Sequence, residues 1–387
     1  MEDRAFIDRI THHTRATACL SCGKCTAACP LSLSGSAFSP RRLVEAAIQG
    51  NDVLLDLLLW ECLACRACWG VCPSNVDYTG FVRLARQGAV ERGATGRCTH
   101  GDALHAAMRL MANGARPERL GWLEATGLQT SPESDTVYFV GCLPFFAPTF
   151  EPMGAECNAI ACATLGLLNA LGIAPQVLAD EVCCGHDLLW SGDEESFARL
   201  AERNVAALQT TGATRIVTAC PECAYTLSVL YPQAGFDIKM EVLHLSQLLA
   251  GADWGGLEDE GQRVTFQDPC RLGRYLGEYD APRAALSALG CKLVEMPHSR
   301  QMATCCGTSS WINCGAVNKR IQAERLREAA RTGAEVLVTA CPKCQVHFRC
   351  ALDDPDLVDE IELEVRDLAT LFAELIGAHQ SETRQGA

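Results

Sequence analysis

The sequence predicts an α+β multidomain chain: an all-α N-terminal domain, then a duplicated α/β region with pseudo-twofold symmetry. Three observations predict it. The run Cys19, Cys22, Cys25, Cys29-Pro30 returns as Cys62, Cys65, Cys68, Cys72-Pro73, offset by 43 residues at every cysteine, in a stretch of low β-propensity. A five-cysteine set, Cys142, Cys183, Cys184, Cys220 and Cys223, returns as Cys270, Cys305, Cys306, Cys341 and Cys344. The gap from the vicinal pair to the next Cys-Pro-x-Cys is 36 residues in one copy and 35 in the other. Within both copies, apolar runs of strand length alternate with helical periodicities, the pattern of βα units and parallel sheets.

In chain order, residues 1–17 read as a short amphipathic helix with Phe6, Ile7 and Ile10 on one side and His12 and His13 at its solvated end. Pro40–Ile48 follows, with proline near the helix start and Gly50 at its stop. Val53–Trp60 is helical in pattern, as is Phe81–Ala89, ending near Gly93. The helical domain so defined covers 1–92. A connector, 93–134, is punctuated by glycines, holds one helix at Ala103–Ala112 and closes on a turn at Ser131–Asp135. The first α/β copy, 135–250, opens with the strand Val137–Val140 that delivers Cys142. A helix at Glu156–Leu171, a short strand at Pro175–Leu178, a helix at Phe197–Leu208 and a strand at Arg215–Thr218 follow, and Glu241–Ala250 is helix-like. Residues 251–261 link the halves. The second copy, 262–375, repeats the order: Arg263–Phe266 into Cys270, a helix at Ala281–Leu289, Lys292–Val294 towards Cys305, a helix at Lys319–Ala330, and Glu335–Val338 into Cys341. Residues 376–387 are a tail. Cysteines thus fall just after strands, where open α/β sheets place their sites.

Composition bounds the class. Of 387 residues, 48% are hydrophobic and 21% charged, enough for real cores. The 24 cysteines are the anomaly. Disulfide scaffolds are short and secreted, whereas Met1-Glu2-Asp3-Arg4 lacks a basic start followed by an apolar run, so a reducing, cytoplasmic location is expected. The most apolar stretch, Gly154–Ala174, is interrupted by Glu156, Asn158 and Asn169, so no membrane span is expected and membrane association would come only through a partner. The net charge of −14 with no concentrated basic face excludes a nucleic-acid partner.

The chemistry lies in the cysteines. Each four-cysteine run has the spacing of a two-cluster bacterial ferredoxin, in which three thiolates wrap one cubane and the fourth, before proline, reaches the other. Cys19, Cys22, Cys25 and Cys72 are therefore assigned to one [4Fe–4S] cluster, and Cys62, Cys65, Cys68 and Cys29 to the second. Zinc knuckles pair isolated Cys-x-x-Cys units and need neither the third cysteine nor the proline. In the five-cysteine sets, Gly185 and Gly307 permit the sharp turn a vicinal pair needs. Such a pair suits an open cluster in which one sulfur reaches two irons; a cubane with a spare thiol and a redox vicinal disulfide also fit the spacing. Cys98, Cys157, Cys162, Cys291 and Cys350 read as apolar filler, with Cys314 left open. His186, His298 and His244 read as structural, the first two also placed to move protons, and His347, three residues after Cys344, is placed to hydrogen-bond a cluster sulfur. No haem-attachment motif, dinucleotide fingerprint or phosphate loop occurs.

Together these motifs resemble the heterodisulfide reductase D family, a fusion of a C-type two-ferredoxin subunit with a B-type CCG subunit. The resemblance covers nearly all of residues 15–375. It rests on both cysteine runs, both Cys-Cys-Gly sets, Asp268-Pro269-Cys270-Arg271-Leu272-Gly273-Arg274 and Cys220-Pro221-Glu222-Cys223. It implies two cubane clusters, plus a noncubane [4Fe–4S] cluster in each CCG set with a disulfide split or formed between them. The ten CCG cysteines are then ligands and catalytic residues at once. It also implies an oxidoreductase within a larger complex, with a flavin-containing subunit or other electron donor or acceptor as partner and a thiol or disulfide as substrate. Iron–sulfur subunits of glycolate and lactate oxidases share the architecture. The second reading is accordingly a non-catalytic electron-transfer subunit of a flavin-dependent dehydrogenase or electron-bifurcating complex. Thr308-Ser309-Ser310 departs from the glycine-rich run some members carry there.

Overall fold

The structure, a computed structural model, describes residues 2–124, 126–254, 261–354 and 361–385. The chain forms two compact units, each discontinuous in sequence. One comprises 1–114, 185–199 and 304–324, the other 115–184, 200–303 and 325–387.

The first unit is mainly helical. Helix Glu2–His13 buries Ile7 and Ile10 and packs on helices Pro40–Ile48 and Tyr78–Glu91. Pro40 occupies the first turn, where its missing N–H costs nothing, and Leu43, Val44 and Ala47 form the buried face. Val53–Trp60 is not the helix its periodicity suggests. It is two 3₁₀ turns, Val53–Leu55 and Leu57–Trp60, because the carboxylates of Asp52 and Asp56 each accept a hydrogen bond from the N–H two residues on and restart the chain. Helix Tyr78–Glu91 is capped by Asp77 at the Gly80 N–H and runs longer than expected. From it Arg86, fully buried, donates to the carbonyls of Leu59, Trp60, Cys62 and Trp190. Helix Ala103–Ala112 lies where the sequence places it.

The second unit is built on two parallel sheets. The first holds β1 (Thr136–Tyr138), β2 (Arg215–Thr218) and β3 (Glu241–His244) in the order β1-β2-β3. The other holds β4 (Arg263–Gln267), β5 (Lys292–Leu293), β6 (Val336–Thr339) and β7 (Glu364–Asp367), in the order β5-β4-β6-β7. Val137, Tyr138, Ile216, Val217, Val264, Phe266 and Val336–Val338 are buried, as parallel strands covered on both faces require. The short strand expected at Pro175–Leu178 is reduced to one bridge, Val137 to Gln176, the counterpart of β5. The helix-like stretch Glu241–Ala250 is a strand followed by a helix, Leu245–Gly251. β7 and the helix Leu143–Phe150 were not anticipated. Within the 251–261 link, residues 255–260 lie outside the described residues. The stretch 376–387, expected as a tail, continues the helix Leu368–Gln385, with 386–387 outside the described residues.

Candidate metal centres

Both four-cysteine runs follow the same path. Left-handed backbone at Ser21 and Gly23, and again at Ala64 and Arg66, turns the chain on either side of Cys22 and Cys65. One-turn helices then carry Cys25 (Lys24–Ala27) and Cys68 (Ala67–Gly70), and these two helices pack on each other. Cys29, Cys62, Cys65 and Cys68 line one cavity under Tyr78. Burial, reinforced by Cys62, Cys65 and Cys29, pushes the Cys68 thiol well up. Burial, with Cys65 and Cys62 adding, pushes Cys29 up to about 12. Thiols so crowded lose their protons together only around a cation, and an iron–sulfur cluster supplies one. Backbone N–H groups already aim at sulfur: Ala64 at Cys62 (3.3 Å) and Val76 at Cys72 (3.4 Å). Cys19, Cys22 and Cys25 are more open, with Cys22 exposed; the Cys25 thiol is raised by burial, Cys19 adding.

In the first CCG set, β1 runs on to Gly141 at φ 70°. A Cβ there would stand 2.9 Å from Cys223 Sγ, so only glycine lets the strand end pass this close to the thiol. Cys142 follows at the start of helix Leu143–Phe150. The loop is braced by a buried pair. The Glu181 carboxylate accepts from the N–H groups of Val140 (3.2 Å) and Gly141 (2.7 Å). Arg119 donates to the Glu181 carboxylate, to its carbonyl (2.7 Å) and to that of Gly141 (3.0 Å). Burial pushes the Glu181 carboxyl up to about 7, against the pull of Arg119 and the two N–H groups. The vicinal pair is held by its carbonyls. Asn204 donates to Cys183 O (3.1 Å), Tyr231 donates to Cys184 O (3.0 Å), and Asn204 also donates to the Tyr231 hydroxyl (3.0 Å). Cys184 and Cys223 sulfurs stand 3.6 Å apart. Hydrogen bonding with Cys184 and Cys220, then burial, holds the Cys223 thiol well above its ordinary range. Cys184, Cys220 and Cys223 are thus gathered, and the donor set fits a soft metal centre.

In the second set, Cys270 opens a π-helical turn, Arg271–Tyr275, after β4. Cys341 and Cys344, both buried, start helix Pro342–Leu352 after β6. Cys305 and Cys306 belong to the first unit's segment 304–324, where they are buried. There the Asn318 side chain donates to the Gly307 carbonyl (2.6 Å), and a Cβ on Gly307 would stand 2.9 Å from the Asn318 carbonyl oxygen.

The two copies meet at their Cys-Pro-x-Cys turns. The variable residue of each forms one ion pair, Lys343 Nζ to Glu222 at 2.7 Å, both side chains largely buried. Tyr225 packs edge-on against Tyr275 at 4.8 Å, and the buried Arg271 guanidinium lies 4.1 Å from the Tyr275 ring centre. His244 lies at the same junction, donating from Nε2 to the carbonyl of Ala219, which precedes Cys220. Burial lowers it to about 4, the carbonyls of Ala219 and Ala340 opposing. Ala340 in turn precedes Cys341. His186 is buried beside Asp187 (3.1 Å), and His298 is held by Glu328 (2.8 Å). Asn204, Tyr231, Arg119 and Glu181 carry no motif; only their positions in the folded chain reveal them.

Residues 136–228 and 264–349 match the cysteine-rich CCG domain, and 15–76 match the 4Fe-4S dicluster domain. The D-type subunit of the dihydromethanophenazine:CoB–CoM heterodisulfide reductase of Methanosarcina barkeri is 29% identical over 401 residues, covering 94% of this chain and 95% of that one. That of Methanosarcina acetivorans is 30% identical over 336 residues, covering 82% and 77%. The chain belongs to the heterodisulfide reductase D family. It is an iron–sulfur electron-transfer oxidoreductase of that type, with cubane [4Fe–4S] clusters in the dicluster domain and noncubane clusters in the CCG domains. Its relatives are named as subunits of larger reductases. The EtfAB:quinone oxidoreductase of Syntrophomonas wolfei is also similar, 25% identical over 84% of this chain and 54% of that one. Among the described residues, no helix is long and apolar enough to cross a membrane.

Proposed function

We propose that this chain passes electrons from its helical domain to two CCG centres and there reduces, or in reverse forms, a thiol–disulfide substrate: one disulfide, two electrons and two protons give two thiols. When bound, the clusters supply single electrons and iron that accepts thiolate sulfur. The ligands we assign are Cys19, Cys22, Cys25 and Cys72, then Cys62, Cys65, Cys68 and Cys29, then the two five-cysteine sets, within domains bounded as the sequence suggests.

The observation that carries this reading is the Glu222–Lys343 pair. Breaking a disulfide needs two electrons, and two one-electron centres serve only if they lie close together. An ion pair between the two Cys-Pro-x-Cys turns, with His244 beside both, ties Cys220 and Cys223 to Cys341 and Cys344 in a fixed arrangement. Lys343 pairs with Glu222, and the buried Arg271 guanidinium next to Cys270 favours thiolate there. Electrons would enter beside Cys22, itself exposed and two residues from Leu20, which is 69% exposed, from a flavin-containing subunit or other donor.

The kinship to a protein named as an EtfAB:quinone oxidoreductase favours a second reading, a non-catalytic electron-transfer subunit. The deciding experiment uses anaerobic, iron-loaded protein reduced by an artificial donor and mixed with small disulfides. Release of two thiols per disulfide, with reoxidation of the clusters followed by EPR, is the expected result. A fully loaded chain that reduces no disulfide yet reduces a flavoprotein partner would replace this reading with the second.

A further inference from the structure

Cys98, Asp102 and His105 gather on one wall of a pocket of about 530 Å³ inside the first unit, and the proposed reaction uses none of them. Their ligand atoms all lie within 4.8 Å of one another. Cys98 Sγ is 3.0 Å from His105 Nδ1. The other ring nitrogen, Nε2, lies 2.8 Å from the carbonyl oxygen of Ser310. A carbonyl only accepts, so Nε2 carries the proton and the Nδ1 lone pair accepts from the Cys98 thiol. An imidazole fixed in this way by a backbone carbonyl is the usual setting of a metal-bound histidine. Asp102 completes the set. Its Oδ2 is held by Arg109 at 3.2 Å. Its Oδ1 is buried, takes no hydrogen bond and lies 3.8 Å from His105 Nδ1. A cation that replaces the thiol proton between Sγ and Nδ1 gains both atoms as ligands, beside the buried carboxylate oxygen that takes no hydrogen bond.

We propose that Cys98, Asp102 and His105 bind a Zn²⁺ ion through Sγ, Oδ1 and Nδ1, with water in the fourth position facing the pocket. One sulfur, one nitrogen and one oxygen suit zinc. Calcium and magnesium take oxygen alone, and an iron–sulfur cluster takes mostly thiolates. Binding displaces the Cys98 thiol proton to solvent, and the thiolate and carboxylate together neutralise the ion. Arg109 stays paired with Asp102 Oδ2 and Asp193 (3.0 Å), so it does not oppose the metal. Cys98, read from sequence as apolar filler, is then a ligand.

The test uses the full chain with its clusters, given one equivalent of Zn²⁺ anaerobically and desalted. About one zinc per chain is expected, with one sulfur near 2.3 Å and the remaining ligands nitrogen or oxygen by X-ray absorption. Cys98→Ser and Asp102→Asn should each weaken zinc retention at least tenfold in a chelator competition, with every cluster EPR signal unchanged. Asp102 is half-exposed, so Asp102→Asn decides the matter if another variant fails to fold. No bound zinc, zinc retained equally by both variants, or three or more sulfurs around it would overturn the proposal. The last outcome would place the ion in a cluster site.

Discussion

His244 closes β3 in the first copy and Asp367 closes β7 in the second, in matching register, paired with Thr218 and Thr339. Each side chain accepts from the backbone N–H two residues on, Ser246 or Ala369, and so starts the helix that follows. Yet one is a base that burial holds neutral, lowered to about 4, and the other an acid that burial pushes well up. The braces behind the upstream cysteines differ in the same way. Glu181, distant in sequence, serves Cys142, whereas Asp268 stands two residues before Cys270. Asp268 is gripped by Arg283 at 2.8 and 3.0 Å and by the Arg300 N–H at 2.7 Å. The two copies share the spacing of their cysteines. The supports only had to present an acceptor in the right place, and different residues came to do so.

If the copies are equivalent in ligands, the largest effects must be symmetric. Cys184→Ser and Cys306→Ser should each reduce disulfide turnover to background while the cubane EPR signals persist; a variant keeping most of its turnover would mean one copy acts alone. Supports should break asymmetrically. Arg119→Met leaves Glu181 buried without its cation, held only by the Val140 and Gly141 N–H groups, and should cost about 3–5 kcal/mol in chemical unfolding. Arg283→Met should cost less, because a second buried cation, Arg325, still acts on the Asp268 carboxylate; equal losses would argue that the braces are interchangeable.

pH sharpens the contrast between His244 and Asp367. A base lowered by burial contributes stability that is present above its ordinary 6.5 and is lost as pH falls towards about 4. A raised acid behaves oppositely: its contribution is present below its ordinary 3.8 and is lost as pH rises above that. His244→Asn should therefore flatten the acid side of the stability profile, by up to about 1.4 kcal/mol per pH unit, and Asp367→Asn the side above pH 4. Unfolding midpoints measured from pH 4 to 7 would check both. The smallest effect is Tyr231→Phe. It removes the hydroxyl that donates to Cys184 O and accepts from Asn204, and should cost about 1–3 kcal/mol. The CCG-centre EPR line shape should change while the cubane signals do not.

What the sequence disclosed follows this division. Cysteine spacing is rigid because bond lengths to iron are, so both runs and both five-residue sets were legible. So were β1, β2, β4 and β6, the apolar strands that lead into Cys142, Cys220, Cys270 and Cys341. β3 and β7 were missed because Glu241, His244, Glu364 and Asp367 make them look like helix ends. Their echo was nevertheless present: Glu241-Val-Leu-His-Leu-Ser-Gln-Leu-Leu-Ala against Glu364-Val-Arg-Asp-Leu-Ala-Thr-Leu-Phe-Ala. Val53–Trp60 failed as a helix because two aspartates compete with its backbone. Asn204, Tyr231 and Arg119 have no local pattern, since each contacts a carbonyl at least twenty residues away in the chain.

Arg86 ties together the carbonyls of Leu59, Trp60 and Cys62, on the approach to the second cysteine run, and that of Trp190. Peptide groups fixed this way cannot swing when an electron arrives nearby. Their dipoles are aligned beforehand, so little nuclear rearrangement accompanies the change of charge. A side chain that holds backbone carbonyls thereby helps to set how quickly charge can hop through the helical domain.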